Sequence, residues 1–480
     1  MALDAILAHK RGELARRKAA ASLESLLARC EPSSRSFAAA LGAGRPGFVL
    51  EIKFASPSEG AIRAGTDLEP VLASYGRHAD AVSVLTDERF FGGSLARLAL
   101  VRARLGQPLL CKDFFLDPFQ VAEARLHGAD AVLLILAAVD DAAWRACAEL
   151  AARLGMEVLT EVHDELEMAR AVALGAPIIG INNRDLRTLR VDLTTTSRLA
   201  PKVPGDRLVV TESGITSREE VRRLRAYADA VLVGSALMKE PDLDLAVRRL
   251  MYGMTKVCGL TRPGDARAAC DAGATHGGLM FAPASPRRIT LERAHAVRAG
   301  APLTWVGVFA DQSPEDVAET ATGLGLAAVQ LHGQEPAEAV ALVRARLPEA
   351  IEVWKAVRVE DRIPRRAETG ADRLLLDAPP VHSPASRFRP SLVPTFRATG
   401  GTGRSFDWSL LDTCAERDAV ILAGGLRAEN VETAAALGTW GLDVSTGVEA
   451  SAGRKDAARL GDFFAARRRL PGRGGGAASP

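Results

Sequence analysis

Runs of five or six apolar, largely β-branched residues recur along the whole chain, separated by longer stretches with helical spacing. In the first half the runs are FVLEIK, AVSVLT, PLLCKD, AVLLIL, MEVLTEV, PIIGIN, RLVVTES and AVLVGS. In the second half they are TKVCGL, HGGLMF, LTWVGVF, AAVQLH, EVWKAV, RLLLDA, AVILAGG and GLDVSTG. Between them, segments such as LDPFQVAEARLHGAD and REEVRRLRAYADA are apolar at i, i+3 and i+4. Strands apolar at nearly every position belong in a parallel sheet covered on both faces. Eight strand–helix units per half predict an α/β architecture of two tandem (β/α)8 TIM barrels. A doubly wound open sheet is the rival, but it wants a GxGxxG turn after its first strand, and neither half has one.

A chain of 480 residues exceeds what one core supports and suits two domains of roughly 200–250 residues each. We expect a helical extension over 1–47, a first barrel over 48–253, a second over 254–466, and a glycine-rich flexible tail over 467–480. PDLDLAVRRLMYGM (Pro241–Met254) reads as a last helix running almost directly into the second barrel.

Composition adds mainly exclusions. Sixty-one basic residues nearly balance fifty-nine acidic ones, so no nucleic-acid or anionic-membrane partner is expected. The longest uncharged apolar run, Ala131–Val139, falls far short of the roughly 20 residues that cross a bilayer. The first twenty residues carry charges where a signal peptide needs an apolar core, and read as an amphipathic helix. Six cysteines without CxxC spacing read as free thiols in a reducing, cytoplasmic compartment. Eight histidines without HxxxH spacing give no metal site.

In a barrel of this kind the chemistry sits where strands end. In the first half those ends carry Glu51 and Lys53, Lys112 and Asp113, Glu161, Asn182 and Arg184, and Glu212. Two lysines and three glutamates on one rim supply a general acid and a general base, because pairing and crowding push their pKa values apart. A ring of structural salt bridges is the plainer reading of any single member. Both halves also place glycines after strands seven and eight, as ESGI then VGSA and as AGGL then VSTGVE, where backbone N–H groups can cradle a phosphate.

The motifs EIKFASPSEG, AVSVLTDERFFGGS, LLCKDF, LTEVH, GINNRDL, TESGI and VGSALM resemble those of indole-3-glycerol-phosphate synthase over residues 1–253. That family closes the indole ring of 1-(2-carboxyphenylamino)-1-deoxyribulose 5-phosphate with loss of CO2 and water, and uses no cofactor. The resemblance implies that Lys112 is the general acid and that Glu161 assists later proton transfers. Lys53 then holds the substrate carboxylate, while Glu51, Asn182 and Glu212 position lysines and sugar hydroxyls. Ser56, Arg184, Ser213, Gly214, Gly234 and Ser235 fall to substrate and phosphate binding. Phe54 and Glu59 stand where related sequences often carry lysines.

In the second half, Cys258 ends the first strand with Lys256 two residues earlier on the same face, and Asp377 ends the sixth. A thiol and a carboxyl across a barrel mouth form a base–acid pair if local charge lowers the thiol pKa. A buried cysteine is more commonly a small hydrophobe, and an aspartate there a helix cap. KVCGLT, GLMFAPASPRRI, WVGVF, VQLHG, GGTGRSFDWSLL, LAGGL and GLDVSTGVE together resemble phosphoribosylanthranilate isomerase over about 255–465. The resemblance implies an Amadori rearrangement of N-(5-phosphoribosyl)anthranilate. Asp377 acts as the acid that opens the sugar, and Cys258 as the base at C2′. Arg287 binds the anthranilate carboxylate or orients the acid, and Gln330 and His332 line the pocket. Gly403, Gly425, Ser445, Thr446 and Gly447 surround the phosphate. The stretch after Asp377, residues 378–399, is longer than the expected loop and rich in Pro, Ser and Arg.

The isomerase product is the synthase substrate, so the sequence predicts a monomeric bifunctional enzyme taking small phosphorylated anthranilate derivatives in two successive steps of tryptophan biosynthesis. A Schiff-base aldolase built on Lys112, and a scaffold with one inactive barrel, are the alternatives.

Overall fold

The computed structural model describes residues 2–63, 67–379, 405–470 and 472–473. The chain divides into two compact units, one of residues 1–250 with 470–480, the other of 251–469. The stretch 380–404 lies outside the described residues, and with it Gly403 and most of the long insert after Asp377.

In the first unit eight parallel strands close into a barrel: β1 (Gly47–Ile52), β2 (Ala81–Leu85), β3 (Leu109–Lys112), β4 (Ala131–Ile135), β5 (Glu157–Val162), β6 (Ile178–Asn182), β7 (Leu208–Glu212) and β8 (Ala230–Val233). Nearly every strand residue is buried, because the barrel interior takes alternate side chains and the helices cover the rest. Val49, Leu110, Leu133, Leu159, Ile178, Val210 and Leu232 belong to one apolar cluster that also takes in Ile6, Leu7, Phe37 and Leu41 from the N-terminal helices. Side-chain caps start the helices that return each crossover, for example Asp140 accepting from Ala143 N and the Ser217/Glu220 capping box.

The N-terminal helix α1 (Ala2–Ala20) is fastened by charge as well as by apolar packing. Lys10 is fully buried, with Nζ 2.8 Å from Asp87 Oδ2, 2.8 Å from Asp113 Oδ1 and 3.1 Å from Glu13 Oε2. Asp113 also accepts from Thr86 Oγ1 at 2.8 Å. Asp113 is thus a structural anchor for α1, although it directly follows Lys112.

The second unit repeats the architecture with β9 (Met254–Cys258), β10 (His276–Met280), β11 (Thr304–Phe309), β12 (Ala328–Leu331), β13 (Glu352–Arg358), β14 (Arg373–Asp377), β15 (Val420–Leu422) and β16 (Gly441–Val444), again closed. Its core gathers Met254, Val306, Trp354, Leu375 and Ile421, with Trp440 packed edge-on to Trp354 at 5.9 Å between centroids. The last helix, Ala457–Arg468, runs two residues past the expected start of the tail, and Arg467 and Arg468 are buried on it. Beyond it, Arg473 Nη1 lies 3.0 Å from Asp229 Oδ2 in the first unit. All six cysteines are free. No helix among the described residues is long and apolar enough to cross a membrane.

Replacing Lys10 with Met strands two buried carboxylates and is expected to cost the first unit about 3–5 kcal/mol. Urea unfolding followed by a probe in each unit checks this: the first transition moves to lower urea and the second stays in place.

Candidate active sites

At the C-terminal rim of the first barrel, parallel register fixes which charges meet. Glu161 is level with Gly180, and Asn182 with Glu212. Lys112 Nζ reaches inward between two glutamates, 2.8 Å from Glu212 Oε2 and 3.1 Å from Glu51 Oε2. Lys53 Nζ takes the other oxygen of Glu51 at 3.0 Å. Two glycines make room for these carboxylates: a methyl on Gly180 would meet Glu212 Oε1, and one on Gly234 would meet Glu51 Oε1. Gly234, expected to serve a phosphate, makes room for a glutamate.

The electrostatics separate the two glutamates. Burial pushes Glu51 up, but Lys112 and Lys53 together outweigh it and bring its carboxyl down to about 2. Burial also pushes Glu212 up, and Lys112 opposes it alone while Glu161 and Glu51 add repulsion, so it rises to about 7. Its Oε1 is buried without a hydrogen-bond partner, which agrees with a carboxyl poised to gain a proton. Lys112 is largely buried, yet Glu212, Glu51 and Glu161 overcome the burial and raise it above the ordinary lysine range.

His163 was not singled out in the sequence, although in LTEVH it stands two residues after Glu161, just past the end of β5. Its Nε2 lies 3.1 Å from Glu161 Oε1 and its Nδ1 3.0 Å from Glu167 Oε2. Burial lowers the imidazole pKa, but the two carboxylates reverse this and raise it to about 10. Burial likewise pushes Glu161 up, and His163, Lys112 and Asn182 bring it below its usual value. Glu161 is thus held ionised.

Beside these charges a cavity partly open to solvent is lined by Lys53, Ser56 and Arg184 together with Leu3, Phe91 and Phe114. Asn182 Oδ1 accepts from Arg184 N at 2.9 Å, fixing the loop that carries the arginine. Ser213 and Gly214 both have positive φ, 65° and 82°, so the chain turns sharply after β7. Glu59 is drawn toward Lys239 at 3.4 Å and toward Ser235.

In the second barrel Cys258 and Asp377 join one buried network. Lys256 Nζ lies 3.0 Å from both oxygens of Asp443, its register partner on β16. Asp443 in turn feels Asp377 and His332. His332 Nε2 sits 3.3 Å from Asp377 Oδ2, and His332 Nδ1 accepts from Gln330 Nε2 at 2.8 Å, so the ring hydrogen faces the carboxylate. Gln330 Oε1 is buried without a partner. Asp443 was passed over in the sequence, although a carboxylate inside the apolar run GLDV was a visible signal.

Two details differ from expectation. Burial pushes the Cys258 thiol up, and Lys256 offsets this only in part, so the thiol lies above its ordinary value rather than below it. Arg287 commits Nε and Nη2 to Glu449 at 2.9 and 2.7 Å, and Glu449 also takes Lys455 at 2.8 Å. Gly259, at φ 75°, makes room for this arginine: a methyl there would lie 2.5 Å from Arg287 Cδ. Thr446 and Gly447 form the short turn after β16, where a methyl on Gly447 would collide with Leu426 O. Gly424 and Gly425 both hold left-handed φ, 79° and 66°. Ser445 adopts φ −129°, ψ −81°, nearly the values of Gly234 after β8 (−128°, −80°). Both barrels therefore leave their eighth strand through the same backbone corner. Among the described residues no group of three or more His, Cys, Asp or Glu could hold a metal ion.

His163 gives a pH-dependent contribution to stability. Its folded pKa of about 10 lies above the ordinary 6.5, so the contribution is full below pH 6.5 and lost as pH rises through 10. Urea unfolding at pH 6 should show His163→Gln destabilising the first unit by about 2 kcal/mol. At pH 10.5 variant and parent should unfold together.

The indole-3-glycerol phosphate synthase family matches residues 3–250, and the N-(5′-phosphoribosyl)anthranilate isomerase family matches 255–466. The tryptophan biosynthesis protein TrpCF of Vibrio cholerae is 47% identical over 92% of this chain and 90% of its own length. That of Salmonella typhi is 45% identical over 96% and 98%. A phosphoribosyl anthranilate isomerase structure from Thermus thermophilus covers 44% of this chain and 97% of its own, at 34% identity and TM-score 0.37. The chain belongs to the bifunctional tryptophan biosynthesis family, with a synthase half preceding an isomerase half.

Proposed function

We propose that each half carries its family's reaction on the residues named above. The chain is a bifunctional enzyme of tryptophan biosynthesis, a decarboxylating synthase and an isomerase. In the isomerase half, Asp377 delivers a proton to the sugar ring oxygen, opening N-(5-phosphoribosyl)anthranilate to its iminium form. Cys258 then takes the C2′ proton, and the electron pair moves to neutralise the iminium nitrogen. The resulting enol tautomerises to 1-(2-carboxyphenylamino)-1-deoxyribulose 5-phosphate. His332 and Gln330 orient the acid.

In the synthase half, the anthranilate ring carbon attacks the C2′ ketone of that product. Lys112 protonates the oxygen as charge develops on it, an ammonium that its two glutamates hold charged and aimed. Lys53 pairs with the carboxylate that leaves as CO2, and Glu161, kept ionised by His163, manages the protons of dehydration. Glu51, Asn182 and Glu212 position these groups, with Ser56 and Arg184 on the cavity wall. The backbone corners at Gly234 with Ser235 and at Ser445 with Thr446 hold the phosphate, assisted by Ser213 and Gly214 in one half and Gly425 and Gly447 in the other. The observation that carries the reading is Lys112 clamped between Glu51 and Glu212, with Lys53 on the same carboxylate. An imine-forming lysine of the aldolase kind needs a neutral amine, which this clamp opposes.

We place the enzyme in the cytoplasm as a monomer; six free cysteines and two self-contained barrels support this. The near balance of charge argues against a nucleic-acid partner.

Substituting Asp377→Asn should lower isomerase kcat/KM by roughly 10²–10⁴-fold and leave synthase activity intact. Lys112→Met should do the reverse. Steady-state assays of the full chain with each substrate check both, and a variant that removes the two activities together while folded would overturn the assignment.

A further inference from the structure

Lys256 is a fully buried cation that the reaction as written does not use. It sits on β9 one alternation below Cys258, so both side chains enter the barrel from the same face. Gly278 of the neighbouring β10 backs them both: a methyl there would lie 2.9 Å from Cys258 Sγ and 3.0 Å from Lys256 Cε. On the other side, β16 presents Asp443 at the level of Lys256, with both oxygens 3.0 Å from Nζ. The ammonium is therefore backed by glycine, gripped by one carboxylate, and also interacts with the Cys258 thiol.

We propose that Lys256 is a positioning residue for the isomerase half: held by Asp443, its charge favours the thiolate of Cys258, the form that abstracts the C2′ proton. The inference rests on the reading of Cys258 as the base. In the reactive form the sulfur is anionic and paired with the ammonium. During the step the S–H bond forms, the C2′–H bond breaks, and its electron pair cancels the iminium charge. Lys256 neither gains nor loses a proton.

A buried thiol needs such help. Burial pushes Cys258 up, Lys256 is the first group that opposes it, and Asp443 works against ionisation. The other charges facing the sulfur are Lys455 and Arg287, and Glu449 already engages both. Lys256 has its own counter-ion in Asp443, but that carboxyl is itself pushed up by burial and by Asp377. Lys256 is thus the cation placed to set how much thiolate exists near neutral pH.

The test uses the full chain, with Lys256→Met and Lys256→Gln, the second keeping hydrogen-bond donors without charge. Iodoacetamide labelling of Cys258, read peptide by peptide across pH 6–10, reports its thiolate directly. The same preparations give isomerase pH–rate profiles and synthase rates, the latter as a check that the chain is intact. We expect both variants to slow Cys258 labelling at pH 7.5 at least tenfold and to shift the labelling midpoint to higher pH. The acid limb of isomerase kcat/KM should move with it, while synthase rates stay unchanged. Lost isomerase activity with an unmoved labelling midpoint would overturn the proposal and leave Lys256 a packing residue. The reading of Cys258 is tested separately: a Cys258→Ser chain that keeps full isomerase activity would remove the base itself, whatever labelling shows.

Discussion

Charges buried in a barrel have little water to fall back on, so each must find an opposite charge on its own strand or across a strand boundary. That constraint shapes both sites. Lys112 can be buried because Glu51 and Glu212 flank it, and Glu51 can be buried because Lys53 takes its other oxygen. In the second barrel Lys256 and Asp443 satisfy each other across the seam that closes the cylinder. A carboxylate with one cation too few is where proton affinity climbs, and Glu212 is that carboxylate in the first site.

The fold was legible because each strand is a short apolar run and each crossover carries helical spacing, two periods that do not mimic one another. All sixteen runs became barrel strands. Lys112, Glu51, Glu161 and Glu212 were legible for a related reason: a charge ending an apolar strand can only lie at its rim. Asp113 looked the same in sequence but faces the other way. It anchors Lys10, a partner more than a hundred residues distant that no local pattern links to it.

What stayed hidden was pairwise geometry. His163 lies beyond the strand end, and nothing in LTEVH says that its ring meets two carboxylates at once. Arg287 looked available for substrate, and only the fold brings Glu449 to it from 162 positions away. Glycines are the other blind spot. Gly180 in PIIGIN carries no local signal of its role, yet it leaves the space that a glutamate side chain occupies.

The matching corner at Gly234 and Ser445 has a consequence for how two catalysts can share an intermediate. On the proposed reading, in which these corners hold the phosphate, recognition by main-chain amides depends on torsion angles, not on which side chain stands there; one half uses glycine and the other serine for the same bend. Mutation can then redraw the reacting end of either pocket without disturbing the grip on the common handle. On that reading a metabolite that keeps its phosphoryl group through both transformations meets, at each stop, the same lock with a different tool beside it.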